Sequence, residues 1–294
     1  MYDRGIYIEA DAAVSKIIED ALGAHEKVTR HFVEEVLGHI RRKFPIPRYE
    51  LNQPKTMIPV QNGILDLETF ELREFSDEFY FTFKLPVWYD PNADCPKFKK
   101  FLSEVLYPED IPTMQEFFGY CLWRDYNIQK AFMLVGEGAN GKSTLLGVLK
   151  HFLGAENVTS IAIQTLERDR FAIGSLFGKL ANIYADLPDK ALYSTGTFKM
   201  LTGGDPITAD KKFREPFTFT NYAKLIFSAN KLPEVRDNTD AFFRRWVIIN
   251  FPNVFDEEKA DKDLLQKLTT EAVSYTHLRA HETRHDLVCR LLLE

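Results

Sequence analysis

A chain of 294 residues with 45% hydrophobic and 27% charged residues and a net charge of −6 is long enough for about two domains and ordinary for a globular protein. The acidic balance excludes a blanket basic surface for nucleic acid, so any such contact must come from local loops or from a ring that concentrates a few cations. No apolar run approaches the ~20 residues of a membrane helix and the chain starts without a basic-then-apolar leader pattern; Cys95, Cys121 and Cys289 form neither a pair nor a metal spacing, so a reducing cytoplasm is expected.

Taken in order, Asp11 is placed to cap a first helix carrying Val14, Ile17, Ile18 and Leu22 and ended by Gly23. A second helix is predicted from about Thr29, with Phe32, Val33, Val36, Leu37 and Ile40 on one face. Pro45, Pro47 and Pro54 break that pattern, and from Met57 the texture changes to short β-like runs. Asn62-Gly63 between two such runs signals a hairpin, and Tyr80–Phe83 reads as another strand. Pro96 suits the first position of a helix carrying Phe98, Phe101, Leu102 and Val105, and the next helix carries Phe117, Phe118, Cys121 and Leu122. Cys121 on that apolar face is expected as a buried small hydrophobe. Residues 1–95 therefore read as a small α+β unit ahead of a second domain, and nothing in that unit indicates chemistry.

The second domain is organised around Gly136, Glu137, Gly138, Ala139, Asn140, Gly141, Lys142, Ser143 and Thr144, which contain the pattern G-x-x-x-x-G-K-S. Before it lies the apolar run Ala131–Val135; after it, Leu145, Leu149 and Phe152 share one helical face that stops at Gly154. Strand, glycine loop and helix make the pattern a phosphate-binding site. Glycines let backbone N–H groups converge on an anion, and the positive end of the helix dipole faces the same point. Lys142 would reach the β/γ-phosphates of a nucleoside triphosphate, and the Ser143 hydroxyl would take a place on Mg²⁺.

Two further apolar runs end in polar residues, Leu180–Asp186 in a carboxylate and Ala223–Asn230 in an amide. In open α/β sheets ligands sit outside the carboxyl ends of strands, so Asp186 is the candidate Mg²⁺-side acid and Asn230 the candidate γ-phosphate sensor. Arg244 and Arg245 precede a third run, Trp246–Ile249; they read either as a solvated rim or as an arginine finger for a neighbouring subunit. Between the acid and the amide, Gly203–Arg214 and Phe217–Phe219 suggest a hairpin presenting Lys211, Lys212 and Arg214 beside Phe213. Its tip is either a plain charged turn or a contact for a single-stranded backbone.

The order of GEGANGKST, YADLPD, FKMLTGGDPITADKKF, LIFSANKLP and AFFRRWVIINFP resembles the helicase domain of phage and plasmid primase-helicases, superfamily III within the AAA+ ATPases. NGILDLET and LPVWYDPNADCPKFKKFL resemble the domain that precedes it, so the likeness covers roughly residues 1–272. It implies an α/β fold: an AAA+-like P-loop domain with a mainly parallel sheet over 96–272, preceded by a small α+β domain over 1–95. It also implies a homo-hexameric ring, ATP with Mg²⁺, DNA threaded through the pore and translocation along it. By the match Lys142 and Ser143 are nucleotide ligands, Asp186 the metal-side acid, Asn230 the sensor and Arg245, rather than Arg244, the finger, with Lys211 and Lys212 on the pore hairpin. The family allows a primase domain or protein upstream, which this stretch does not resemble. Ala185 stands where many relatives carry a second acid, so the water-activating carboxylate is unassigned, with Asp189 and Asp205 as weak candidates.

Residues 273–294, VSYTHLRAHETRHDLVCRLLLE, resemble an in-frame translation of a sequencing-library adapter, which sets aside the four-residue recurrence of His277, His281 and His285 as a metal site. The leading expectation is an ATP-driven replicative DNA helicase motor. A P-loop ATPase acting as replication loader or DNA-binding switch without unwinding is the alternative; a small-molecule kinase would leave the hairpin and the arginines unexplained.

Overall fold

The computed structural model describes residues 1–22, 29–187, 195–235, 239–256 and 261–272. At the start, β1 (Tyr2–Asp3) and β2 (Ile6–Tyr7) make a short antiparallel hairpin, followed by α1 (Asp11–Leu22) and α2 (Arg30–Lys43). The Thr29 side chain caps α2 by accepting from the Phe32 N–H at 3.3 Å. Both helices have the expected apolar stripes, yet α1 buries no residue and α2 only Val33, while Ile17 is 57% exposed. Gly23, expected to end α1, lies outside the described residues.

β3 (Met57–Val60), β4 (Gly63–Asp66) and β5 (Leu72–Arg73) then form an antiparallel meander. Its first turn sits one residue earlier than expected: Val60 pairs with Gly63, so the turn is Gln61-Asn62 and Gly63 opens β4. Asn62 is kept for another purpose. Its side chain donates to the Tyr89 carbonyl and accepts from the Tyr89 N–H, both at 2.9 Å. The strand expected at Tyr80–Phe83 joins no ladder. Its period of two is real, since Phe81, Phe83, Leu85, Val87 and Tyr89 are all buried. Its backbone bonds, however, scatter over three partners, with the Phe81 carbonyl accepting from Tyr7, the Tyr80 carbonyl from Asn52, and the Leu85 N–H donating to Pro59.

Two helices, α3 (Pro96–Val105) and α4 (Asp110–Leu122), lead to β6 (Ala131–Val135), and α5 (Lys142–Leu153) follows it. The chain continues through β7 (Val158–Thr159), α6 (Ile163–Leu166), α7 (Arg170–Gly174), β8 (Ala181–Tyr184) and α8 (Gly196–Gly203). The hairpin β9 (Pro206–Lys211) and β10 (Arg214–Thr220) comes next, then β11 (Lys224–Ala229), α9 (Asp240–Phe243), β12 (Trp246–Asn250) and α10 (Leu264–Ala272). Five of these strands make one parallel sheet in the order β12-β6-β11-β8-β7. In chain order that is fifth, first, fourth, third, second, so β6 lies where the direction of winding reverses.

β11 is wholly buried, as a parallel strand covered on both faces requires. Alternation along β6 sends Phe132 and Leu134 into one layer, with Phe117 of α4 and Leu145 and Leu149 of α5, and Ala131 and Met133 into the other, with Phe198, Phe217 and Phe242. Ile58 and Ile64 of the meander belong to the first layer, so the meander and the α3–α5 helices share one core. Cys121 is buried there as expected, and burial pushes its thiol up to about 12.

Candidate functional site

The glycine loop leaves the carboxyl end of β6 and enters α5 through two left-handed residues, Ala139 (φ +55°) and Gly141 (φ +90°). Gly141 is required twice, by its dihedral and because a Cβ there would lie 2.7 Å from Val105 of α3. Asn140 braces the turn: it is 3% exposed, its amide donates to the Glu137 carbonyl, and its Oδ1 accepts from the Lys142 N–H at 3.4 Å. Lys142 is 6% exposed, and its ammonium donates to the Gly136 carbonyl, to the Glu137 carbonyl at 3.3 Å and to Asn140 Oδ1 at 3.1 Å. Burial pulls that ammonium below its ordinary value, and Asp186 opposes the shift. Glu137, Gly138, Ala139 and Ser143 are exposed along the outer rim, with Thr144 half-buried behind them.

Asp186 and Asn230 come to the same edge. Asp186 follows β8 with φ +64°, a left-handed setting that aspartate tolerates better than most residues, and Leu187 is pinned by a 2.7 Å bond to the Ser228 carbonyl. Asn230 follows β11, whose last residue pairs with Val135 and accepts from the Gly136 N–H at 3.3 Å. Lys142, Asp186 and Asn230 thus meet outside the carboxyl ends of three adjacent strands.

Arg245 is elsewhere. It precedes β12, and its carbonyl accepts from the Ala131 N–H at the amino end of β6, one five-residue strand or roughly 16 Å from the loop. Its side chain is 8% exposed, with one guanidinium nitrogen on the Ala241 carbonyl; burial lowers its pKa, Arg244 adds to that and Asp205 opposes it. Arg244 is exposed. The hairpin forms as expected, with Lys211 opposite Arg214 and a tip at Lys212 and Phe213, where Phe213 is left-handed and fully exposed. Lys211 differs from a plain tip residue: its ammonium lies 5.4 Å from the Phe177 ring and 5.2 Å from that of Phe217. Asp189 lies outside the described residues, as do His277, His281, His285 and Cys289.

Sequence reasoning missed three structural supports, of which the first touches the loop and the other two brace the fold behind it. Phe251 and Phe255, after β12, donate backbone N–H groups to the Val135 and Ala139 carbonyls, both at 2.8 Å, and so line the back of the loop. Arg124, 2% exposed, donates to the Asn52, Pro54 and Met57 carbonyls at 2.5, 2.5 and 2.8 Å and ties the N-terminal residues to α4. Lys224, at the start of β11, is completely buried beneath Tyr120 and Tyr126 and donates to the Trp123, Asp125 and Tyr222 carbonyls at 2.6, 2.7 and 3.0 Å. Burial pulls it down to about 7.

These features define an α/β protein that holds a glycine loop, a lysine, a carboxylate and an amide together at the carboxyl edge of a parallel sheet. Residues 5–107 match a family model described as D5 N terminal like, and residues 134–245 match one described as a family of unknown function, DUF5906. Among curated proteins, one of Acanthamoeba polyphaga mimivirus, L207/L206, whose name proposes a helicase, is 27% identical over 242 residues, which are 78% of this chain and 25% of that protein. Another helicase-named protein, 184R of Invertebrate iridescent virus 6, is 26% identical over 74% of this chain and 25% of its own length. The chain thus spans about a quarter of the length of these relatives. The apo structure of the NrS-1 C terminal region shares the fold at TM-score 0.55 and 17% identity, over 70% of this chain and 52% of that one. Its A form apo structure gives 0.53 and 19%, over 66% and 48%. Together these likenesses support a phage or viral primase-helicase family for the chain. Among the described residues no helix is long and apolar enough to cross a membrane.

Proposed function

We propose that the chain is the motor of an ATP-driven replicative DNA helicase. One observation carries the reading, the convergence of Lys142, Asp186 and Asn230 on one loop at the carboxyl edge of the sheet. Backbone N–H groups of the loop and the amino end of α5 receive the β- and γ-phosphates, and the Lys142 ammonium exchanges its carbonyl partners for phosphate oxygens. Among the described residues no three His, Cys, Asp or Glu side chains gather as a metal cage. A serine hydroxyl and one aspartate fit Mg²⁺, which is held by one or two carboxylates together with substrate phosphates and water. Ser143 and Asp186 would hold it, and it would offset phosphate charge during transfer to water. Asn230 orients the attacking water or reads the γ-phosphate.

The arginine pair at the other edge of the sheet is too far from its own loop to act there, which supports a finger offered to a neighbouring subunit in a ring. The resemblance puts it at Arg245; exposure favours Arg244 as the side chain presented at the surface. Lys211 and Lys212, on the β9–β10 hairpin, contact DNA.

The test is ATP hydrolysis with and without single-stranded DNA, alongside Lys142→Ala. We expect DNA-stimulated turnover that Lys142→Ala abolishes while its circular dichroism is unchanged. Wild-type turnover in that variant would refute the site. Stimulation without strand displacement would favour the loader or switch.

A further inference from the structure

We propose that the end of α2 and the turn after it form, with the β9–β10 hairpin, one continuous track for single-stranded nucleic acid. This rests on the reading of the chain as a DNA motor and extends its contact beyond the hairpin.

α2 ends in Arg41, Arg42 and Lys43, and the chain continues through Phe44 to Arg48 and Tyr49. Phe44 is 66% and Tyr49 77% exposed, although rings of that size normally seek cover. Arg41 is committed to Asp11. Among the described residues, Arg42, Lys43 and Arg48 form no ion pair.

The join to the hairpin is direct. The Arg48 guanidinium lies 4.8 Å over the Phe217 ring of β10, and the Lys211 ammonium lies 5.2 Å from the same ring. Two cations far apart in sequence therefore share one aromatic, and burial, then repulsion from Arg214 and from Arg48, lowers Lys211. Glu9 opposes that shift and tempers the charge locally. A polyanion laid across both would relieve the repulsion. Beyond Lys211 the strip continues to Lys212, Phe213 and Arg214 at the tip, with Phe213 fully exposed. The segment is held in place, because Arg124 grips the carbonyls of Asn52, Pro54 and Met57 just downstream.

Cations spaced between exposed rings match unpaired nucleotides, whose phosphates take the charges and whose bases stack on the rings; duplex DNA offers no free base faces. An acidic protein segment would use the charges and ignore the rings.

The experiment is an anisotropy titration of the full chain with labelled oligo(dT) and with duplex of equal length, over a range of salt. Arg42→Ala with Lys43→Ala and Arg48→Ala should lower the slope of log affinity against log salt by up to ~2. Phe44→Ala with Tyr49→Ala should weaken oligo(dT) by roughly 5-fold or more at every salt and leave duplex binding unchanged. Since Arg48 also packs on Phe217, Arg42→Glu with Lys43→Glu, both on the surface, serves as a second charge variant, and melting confirms that each protein is folded. If oligo(dT) binds and Lys212→Ala with Phe213→Ala weakens it while the α2-end variants do not, the track is refuted and the motor reading stands. If the wild-type chain binds no oligo(dT), both fail. If the charge variants weaken binding and the ring variants do not, the partner is a generic polyanion and the proposal is overturned.

Discussion

Replacing Arg124 by methionine keeps the length of the side chain and removes every donor. Burial lowers the guanidinium to about 10, so it is charged at neutral pH, and it sits between the Phe81 and Phe83 rings at 5.5 and 5.2 Å. Of its three acceptors, the Pro54 carbonyl keeps a bond from the Met57 N–H at 3.2 Å. The Asn52 and Met57 carbonyls lose their guanidinium donors. At ~1–3 kcal/mol for each stranded acceptor the gross cost is about 2–6 kcal/mol, partly offset because a charge no longer has to be desolvated. We expect a net loss of about 3 kcal/mol, or roughly 6–12 °C in melting temperature for a chain of this size. Thermal melts by circular dichroism measure it, with urea midpoints as a check. Arg124→Lys should recover only part, because one ammonium cannot copy a planar fork across carbonyls of separate residues. A fall of less than about 2 °C in Arg124→Met would refute the clamp, since it falls below the cost of one stranded acceptor.

Lys224 gives a pH dependence. Its folded value of about 7 lies below the ordinary 10.5, so between those limits the unfolded chain binds the proton that the folded chain has released. Stability should rise with pH across that window, by up to ~1.4 kcal/mol per unit, and be lowest below pH 7. Denaturant midpoints between pH 7 and 8, below the range around 9.0 in which the unfolded Cys121 thiol loses its proton and opposes the slope, should climb in the wild type and stay flat in Lys224→Met; parallel curves would show that the ammonium is not the titrating group. For the arginines, Arg244→Ala and Arg245→Ala should both bind nucleotide, and the one that supplies the finger should hydrolyse it ~10³–10⁵-fold more slowly. Mixing that variant with Lys142→Ala should restore activity, since each then provides what the other lacks. Mixtures that co-assemble and stay inactive rule out action across subunits.

What could be read from the sequence was local. β6 and β12 begin where their apolar runs begin, and β11 spans most of its run, because parallel strands covered on both faces are written as such runs. The glycine loop declares itself by spacing. The meander turn was misplaced by one residue because Asn62-Gly63 is a strong turn pair, yet Asn62 here spends its amide on Tyr89. Tyr80–Phe83 carries the alternation of a strand, but a ladder needs a partner, and no local pattern says whether one is present. Arg124 and Lys224 were invisible for a related reason. Each is a lone basic residue beside apolar neighbours, and its acceptors lie 67 to 72 residues away for Arg124 and, apart from Tyr222, 99 to 101 away for Lys224. The apolar stripes of α1 and α2 are present as the sequence indicates, yet they cover little, since α1 buries no residue and α2 only Val33.

That thin cover bears on how the protein unfolds. With Val33 as the one buried side chain of the two helices, α1 and α2 should open at a small fraction of the global free energy, so their amides exchange with solvent long before those of β11. All three tryptophans, Trp88, Trp123 and Trp246, lie outside the pair. Fluorescence therefore follows the sheet and its packed helices, whereas far-ultraviolet ellipticity counts every helix. On heating, the two signals should part, ellipticity falling first, and a single midpoint would misdescribe the transition.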